Sequence, residues 1–232
     1  MDKVKFIEVP KPVNGRRFAI SDIHGCSKTF KALLKSLKLN KEDQLFLIGD
    51  LINRGPSSEK VLDTVLKIQR KGIAVYILKG NHEDMVLKAN QQGIDKLKKV
   101  LAVFKSEKLA QGGRLIETYE KLLSNAYHYI VLDRFYLVHA GFDFSKNTPF
   151  EDTHSMMYIK EFKPNKRLLE KKQVVLGHSP KAIEDIVARL KSSNRKIHID
   201  NGCINIKDPY QGNLVCLNLD TKAIIVQPNI ED

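Results

Sequence analysis

Tryptophan is absent from the 232 residues, and cysteine occurs only as Cys26, Cys203 and Cys216. Without Trp, aromatic packing falls to Phe and Tyr. Three scattered cysteines cannot build a disulfide framework, and the lack of any C-x-x-C pair excludes a zinc ribbon. Such sparse usage points to a reducing compartment. No apolar run approaches the roughly 18 residues that a membrane-spanning helix needs. The opening stretch, MDKVKFIEVPKPVNG, lacks the apolar core of a secretion signal. A cytoplasmic location with no membrane partner is therefore expected. Acidic residues are also short, 27 against 39 Lys and Arg, for a formal net charge of +12. That excess suits a field attracting anionic substrates, and equally a lysine-rich surface serving solubility. The lysines are spread along helix faces, as in Lys28, Lys31, Lys35 and Lys38. They do not form an arm interleaved with aromatics, so no dedicated nucleic-acid binding is expected.

What is present reads as one globular domain over 1–232. Charged residues make up 28% and hydrophobic ones 42%, an ordinary globular balance. Residues 1–16 read as a peripheral leader, with FIEV at 6–9 a candidate edge strand. RFAIS at 17–21, QLFLIG at 44–49 and IAVYIL at 73–78 are apolar runs of strand length. Between them, Phe30, Leu33, Leu34 and Leu37, then Val61, Leu62, Val65, Leu66 and Ile68, fall at helical spacing. Apolar strands joined by helices predict a parallel sheet buried on both faces, with functional loops at the carboxyl ends of its strands. Residues 84–125 read as a helical excursion, broken at Gly112-Gly113. Strands resume at FYLVH (135–139) and QVVLG (173–177). KIHID, NLVCLNLD and AIIVQ then read as sequential antiparallel strands.

The apolar runs end in polar motifs: SDIHG at 21–25, GDLINRGP at 49–56, GNHE at 80–83, VHAG at 138–141 and LGHSP at 176–180. On an extended strand end, Asp22 and His24 point the same way and can share one cation. Asp50 can bridge that ion to a second. Asn81 offers an amide oxygen, and His139 and His178 offer imidazoles. Such mixed oxygen and nitrogen sets suit Mn, Fe or Zn better than Ca. Two metals about 3.5–4 Å apart can orient a phosphoryl group for in-line attack. Arg54 can grip an anion bound there. Each residue alone has an ordinary structural role open to it, as a cap, a turn former or a core histidine. His128, His154 and His198 are left to such roles. Jointly, several strand ends carrying this chemistry are a poor coincidence.

These motifs resemble the metallophosphoesterase superfamily, and most closely the compact bacterial and phage form of the phosphoprotein phosphatase family, over about residues 17–220. The resemblance implies a four-layer α/β/β/α sandwich of two mixed β-sheets. It implies one divalent ion held by Asp22, His24 and Asp50, and a second held by Asp50, Asn81, His139 and His178, with Mn ahead of Fe or Zn. Arg54 and Asn81 would bind the substrate phosphate, and His82 would protonate the leaving oxygen. Cleavage would go by direct attack of a metal-bridging hydroxide, with no phosphoenzyme. The implied substrate is a phosphorylated protein or peptide, or a small phosphoester or nucleotide.

Two positions depart from the family pattern. Asn53 stands where the motif GDxxDRG carries an Asp that would orient the catalytic His and stabilise its protonated form. An amide brings no charge, so His82 should be a weaker general acid. That loss matters most for a serine alkoxide and little for a phosphoanhydride. Lys160, in MMYIKEF at 156–162, stands where relatives carry an Arg that contacts phosphate. It keeps the charge and loses the bidentate fork. A Ser/Thr protein phosphatase is the leading expectation. A symmetrical diadenosine tetraphosphate hydrolase is the alternative, since such hydrolases also lack that Asp. A silent phosphate-binding module is a third reading.

Overall fold

In the computed structural model, residues 3–192 and 195–231 are described. Twelve strands and seven α-helices follow one another among them. β1 (Phe6–Glu8), β2 (Arg17–Ile20), α1 (Ser27–Leu37), β3 (Gln44–Leu47), α2 (Ser58–Arg70) and β4 (Ala74–Ile77) open the chain. The excursion holds α3 (Asn81–Gln91), α4 (Ile94–Val103), a small hairpin of β5 (Ala110–Gln111) and β6 (Arg114–Leu115), and α5 (Glu117–Ser124). Then come β7 (Tyr129–Val131), β8 (Phe135–Val138), α6 (Thr153–Tyr158), β9 (Gln173–Leu176), α7 (Ile183–Lys191), β10 (Lys196–His198), β11 (Asn213–Asn218) and β12 (Ile224–Pro228).

The period-2 alternation of the apolar strands sorts their side chains into layers. In β2 and β3, Phe18, Ile20, Leu45 and Leu47 face a cluster built with α1 to α5, while Ala19 and Phe46 face the other way. There they meet Phe135, Leu137 and Val175 of the second sheet. The opposite face of that sheet, with Val138, Val174 and Leu176, is covered by Phe142, Met156 of α6 and Leu169. The result is two mixed five-stranded sheets, β12-β11-β2-β3-β4 and β1-β7-β8-β9-β10, packed face to face between helical layers. β2, β3 and β4 are parallel and in register, so their carboxyl ends stop at one level. β8, β9 and β10 do the same in the second sheet.

Three expectations need correction. KIHID does not begin an antiparallel series: β10 runs parallel to β9, with α7 as the crossover that parallel pairing requires. Only β11 and β12 form the expected antiparallel pair. IAVYIL is not buried on both faces, because β4 is an edge strand with Ala74, Val75 and Tyr76 half-buried. The alternation argument for Asp22 and His24 fails as well, since β2 ends at Ile20. Both residues instead lie in the left-handed region, with φ of 53° and 47°. The expected edge strand at the N-terminus is present as β1, paired with β7. β7, the β5–β6 hairpin, α6 and α7 were not foreseen.

Arg17 joins the two sheets. Its side chain is fully buried. Nη1 donates to Asp133 at 2.6 Å, beside β8, and Nη2 to Asp220 at 2.8 Å, after β11. Removing the cation takes the shortest ion pair from each of two carboxylates. It leaves them only longer contacts, Asp220 with Lys11 at 3.4 Å and Asp133 with Arg134 at 3.9 Å; of the two, Asp133 is the more able to rehydrate. Arg17→Met should therefore lower stability by about 3 kcal/mol in urea denaturation. Asp133→Asn, at a half-exposed partner, should cost about 1 kcal/mol or less.

Candidate active site

Six strand ends, of β2, β3, β4, β8, β9 and β10, open onto one rim. The loops that follow are laced together by backbone bonds. The amides of Asp22, His24 and Gly25 donate to the carbonyls of Gly49, Asp50 and Leu51, and Gly177 N–H donates to His139 O. Glu83 fixes the other side. Its fully buried carboxylate accepts from the backbone N–H groups of Asp50, Leu51 and Gly80 at 2.8 to 2.9 Å. His82 N–H donates to Asp50 Oδ1 at 3.0 Å.

This crowding explains the glycines beside the ligands. A Cβ on Gly49 would lie 2.7 Å from His139 Nδ1, and one on Gly80 would collide with Asp50 Oδ1. Backbone conformation is demanding too. Asp22, His24, Asp50, Asn53, Arg54 and His178 all have φ between 47° and 72°. Such residues are uncommon and cluster where surrounding structure over-determines them.

The hydrogen-bond pattern at the centre is short of hydrogens. His139 Nδ1 lies 2.8 Å from the Ile48 carbonyl, so that nitrogen carries the proton and Nε2 keeps its lone pair. A ring nitrogen of His178 is likewise committed to the Tyr158 carbonyl. His178 Nδ1 then faces His139 Nε2 at 3.2 Å and Asn81 Oδ1 at 3.0 Å. Asn81 Oδ1 is 3.1 Å, and Asp50 Oδ2 3.5 Å, from His139 Nε2. Four acceptors thus converge on one point. Protonation does not relieve them, since burial holds both imidazoles down at about pKa 4. Their complement is a cation. On the other side of Asp50, His24 directs Nδ1 to the Ile52 carbonyl at 3.2 Å and Nε2 toward Asp50 Oδ2 at 3.7 Å. His24, Asp50 and His82 offer ligand atoms within 4.8 Å of one another, as do Asp50, His139 and His178.

Asp22 stands one step back. Its carboxylate accepts from Ser21 Oγ and from the His178 N–H, and burial together with Asp200 and Asp50 pushes its pKa well up. Burial raises Asp50 as well, and burial with Asp50 nearby raises Asp200. Glu83 is pushed to about 7 by burial and by Asp50. So much buried like charge is what a divalent pair would neutralise.

The remaining predicted residues lie around this centre. His82 Nδ1 is 3.0 Å from Asn53 Nδ2, and Asn53 Oδ1 is buried with no partner among the described residues. Whichever way the amide is turned, no charge backs the imidazole, and burial and Arg54 hold its pKa down at about 3. The His82 ring packs edge-on against His24 and Phe104, each 4.9 Å away. Arg54 is exposed at the mouth, its backbone N–H tied to the Phe104 carbonyl at 3.2 Å. Lys160 is exposed, near enough for its charge to disfavour protonation of His178. Its segment is braced by Tyr158, whose hydroxyl donates to Asp84 at 2.7 Å. His128, His154 and His198 stay outside the cluster; His154, for one, stacks on Tyr158.

Asp200 and Glu83 were not recognised as site residues from sequence. Asp200 lines the same nook as His24, Asp50, Arg54, Asn81 and His178. IDNG after an apolar strand was the available signal, of the kind that marked the other loops. Cys26 and Cys203, far apart in sequence, meet beneath it, with the Asn229 amide against both. All three cysteines are free.

The raised carboxylates fix the sign of a pH effect. Without metal, the folded state holds extra protons between the unfolded carboxylate pKa of about 4 and about 7, so these groups lose stability as pH rises through that window. Mn binds the ionised forms, and the imidazoles compete little above about pH 4. The rise in Tm on adding Mn should therefore be larger at pH 8 than at pH 6, by scanning fluorimetry. An equal rise at both would show that no carboxylate proton is displaced.

Comparison with known proteins bears on this centre. The family profile of the calcineurin-like phosphoesterases matches residues 16–217. The symmetrical bis(5'-nucleosyl)-tetraphosphatase of Buchnera aphidicola subsp. Schizaphis graminum is 43% identical over 83 residues, 35% of this chain and 29% of that protein. The chain thus spans under a third of the length of that relative. The asymmetrical bis(5'-nucleosyl)-tetraphosphatase of Anoxybacillus flavithermus is 28% identical and matches 90% of this chain and 93% of its own. A crystal structure described as a putative diadenosine tetraphosphatase superposes with a TM-score of 0.70 at 22% identity, covering 99% of this chain and 100% of that one. With the profile covering most of the chain, and the two-sheet fold and cation-ready strand ends in agreement, the protein belongs to the calcineurin-like phosphoesterase family.

Proposed function

We propose that the protein is a metal-dependent phosphoester hydrolase that cleaves phosphoanhydride bonds of dinucleoside polyphosphates in preference to phosphoserine esters. The carrying observation is the amide of Asn53 behind His82, 3.0 Å from its Nδ1. The carboxylate within reach of His82, Asp50, belongs to the ligand set. An imidazole without its own carboxylate is poorly equipped to deliver a proton to an alkoxide. A nucleotide phosphate leaves with its negative charge spread over oxygens and needs little such help. The names carried by the two relatives agree with this reading. Asp22, His24 and Asp50 on one side, and Asp50, Asn81, His139 and His178 on the other, would hold two divalent ions, Mn ahead of Fe or Zn. Bound there, such ions neutralise phosphoryl charge and acidify water.

The protein's own groups have separable tasks in this reading. Arg54, at the mouth, grips the phosphoryl oxygens, and the Asn81 amide lies beside them. Lys160 adds charge at the rim. His82 faces the leaving oxygen. Glu83 acts indirectly, by holding the Asp50 and Gly80 backbones where the ligands need them. A phosphoprotein phosphatase, the leading expectation from the motifs, would use the same constellation and stands as the second reading. GNHE at 80–83 favours it.

The Mn-reconstituted protein should turn over diadenosine tetraphosphate with a higher kcat/KM than a phosphoserine peptide, a phosphotyrosine peptide or an aryl phosphate. A phosphoserine peptide hydrolysed as well or better would replace the proposal with the second reading. Product analysis adds the cleavage position: two ADP for symmetrical cleavage, ATP and AMP for asymmetrical.

Asn53→Asp should raise activity on phosphoserine relative to diadenosine tetraphosphate by about tenfold or more, within the range of general-acid effects. An unchanged ratio would mean that the amide does not set leaving-group preference. Lys160→Ala should raise KM for either substrate, and unchanged kinetics would remove it from the site.

A further inference from the structure

The nook beside the ligands offers only about 50 Å³ of free space. Ligand sites for larger molecules typically run to about 300–1,000 Å³, so whatever is attached to the reacting phosphoryl group must lie outside it. A second depression, of about 380 Å³, adjoins it. The two share Arg54 and Ile204, and Lys105, Ile206, Cys26 and Glu231 also line the second one.

We infer that this groove is the binding site for the leaving nucleotide, with Lys105 taking its phosphate and Ile204 and Ile206 taking the face of its base. The inference rests on the proposed dinucleoside polyphosphate activity and adds a location for the part of the substrate that leaves.

Three observations carry it. The first is continuity. A phosphate chain that starts in the nook and follows Arg54 enters this groove, because the arginine lines both. The second is charge. Lys105 is exposed and has no carboxylate partner within salt-bridge distance among the described residues. It is also well positioned: it follows Phe104, whose carbonyl accepts from the Arg54 N–H, and precedes Ser106, whose hydroxyl meets Ser58 Oγ at 3.0 Å. Ser58 Oγ in turn accepts from Asn53 N–H at 2.8 Å. The cation thus rides on the same bonded frame as the phosphate clamp. Glu231, the acidic group of the groove, is engaged by the N–H and hydroxyl of Thr29.

The third observation is an apolar rim on a hydrogen-bonded loop. Ile206 is 65% exposed. Its loop is pinned by Gly202 N–H to Asp200, by Asn205 to Gln211, and by Asn201 to the Lys181 and Tyr210 carbonyls. An isolated exposed isoleucine needs no explanation. One held on a rigid loop beside a cationic groove that opens from the reaction centre fits the apolar face of a base.

The test reads binding as well as turnover. N-methylanthraniloyl-ADP is titrated into Mn-loaded protein by fluorescence anisotropy, for the parent chain, Lys105→Ala and Ile206→Asp. Each substitution should weaken the probe by about tenfold, as expected for a lost charge-assisted contact or a lost apolar face. kcat/KM for an aryl phosphate, which does not reach the groove, should stay within about twofold, which also shows that the variants fold. Unchanged probe affinity in both variants would overturn the inference, as would a parallel loss of aryl phosphate turnover. If diadenosine tetraphosphate is not a substrate but the probe depends on Lys105 and Ile206, the activity proposal falls and the groove stands. If it is a substrate and neither variant alters its KM or the probe, the groove falls and the activity stands. A phosphoserine peptide with acidic flanks that displaces the probe better than ADP would assign the groove to a peptide and overturn it.

Discussion

The constraint on which this molecule depends is that lone pairs from several chain segments must converge where no N–H or O–H can satisfy them. His139, His178, Asn81 and Asp50 meet at 3.0 to 3.5 Å as acceptors only. Such a cluster is costly unless a cation enters it, so the surrounding chain must enforce it. Glu83 does so from below, converting three backbone donors into a brace between the Asp50 and Gly80 loops. Two carbonyls, of Ile48 and Ile52, orient His139 and His24 by taking the proton on the far side of each ring. The left-handed backbone at Asp22, His24, Asp50 and His178 is the conformational cost of turning four candidate ligands inward in short loops.

The sheets serve this centre by register. Parallel pairing stops β2, β3 and β4 at one level in one sheet and β8, β9 and β10 at one level in the other. Face-to-face packing through Ala19, Phe46, Leu137 and Val175 then brings the two rims together. Arg17 fastens the sheets from within, reaching an aspartate beside each. What holds the sandwich shut therefore also holds the candidate ligands in one place.

In the proposed reading, selectivity lies in the outer parts. Asn53 places an uncharged amide behind His82. The 200–212 loop and the corner at Lys105 come from distant parts of the chain and line one depression with Arg54. The same metal-ready centre could thus serve different leaving groups according to what these loops present.

The sequence alone determined the strand-helix alternation, the motifs at the strand ends and the departure at Asn53. Apolar periodicity is local, and Asp, His, Asn and Gly at strand ends are few enough to be read one by one. The partner of KIHID was not legible, because it depends on the crossover by α7 and not on the strand's own residues. Nor was the reason Asp22 and His24 act together, which is a left-handed turn laced to the Gly49–Leu51 backbone and not an extended strand. Asp200 and the bracing role of Glu83 were visible as letters but not as parts of the site. Burial beside other carboxylates, and the reach of one carboxylate to three separate N–H groups, are properties of the folded arrangement. Only the tertiary structure decides them, because they are set by distances across loops that the chain brings together from many residues apart.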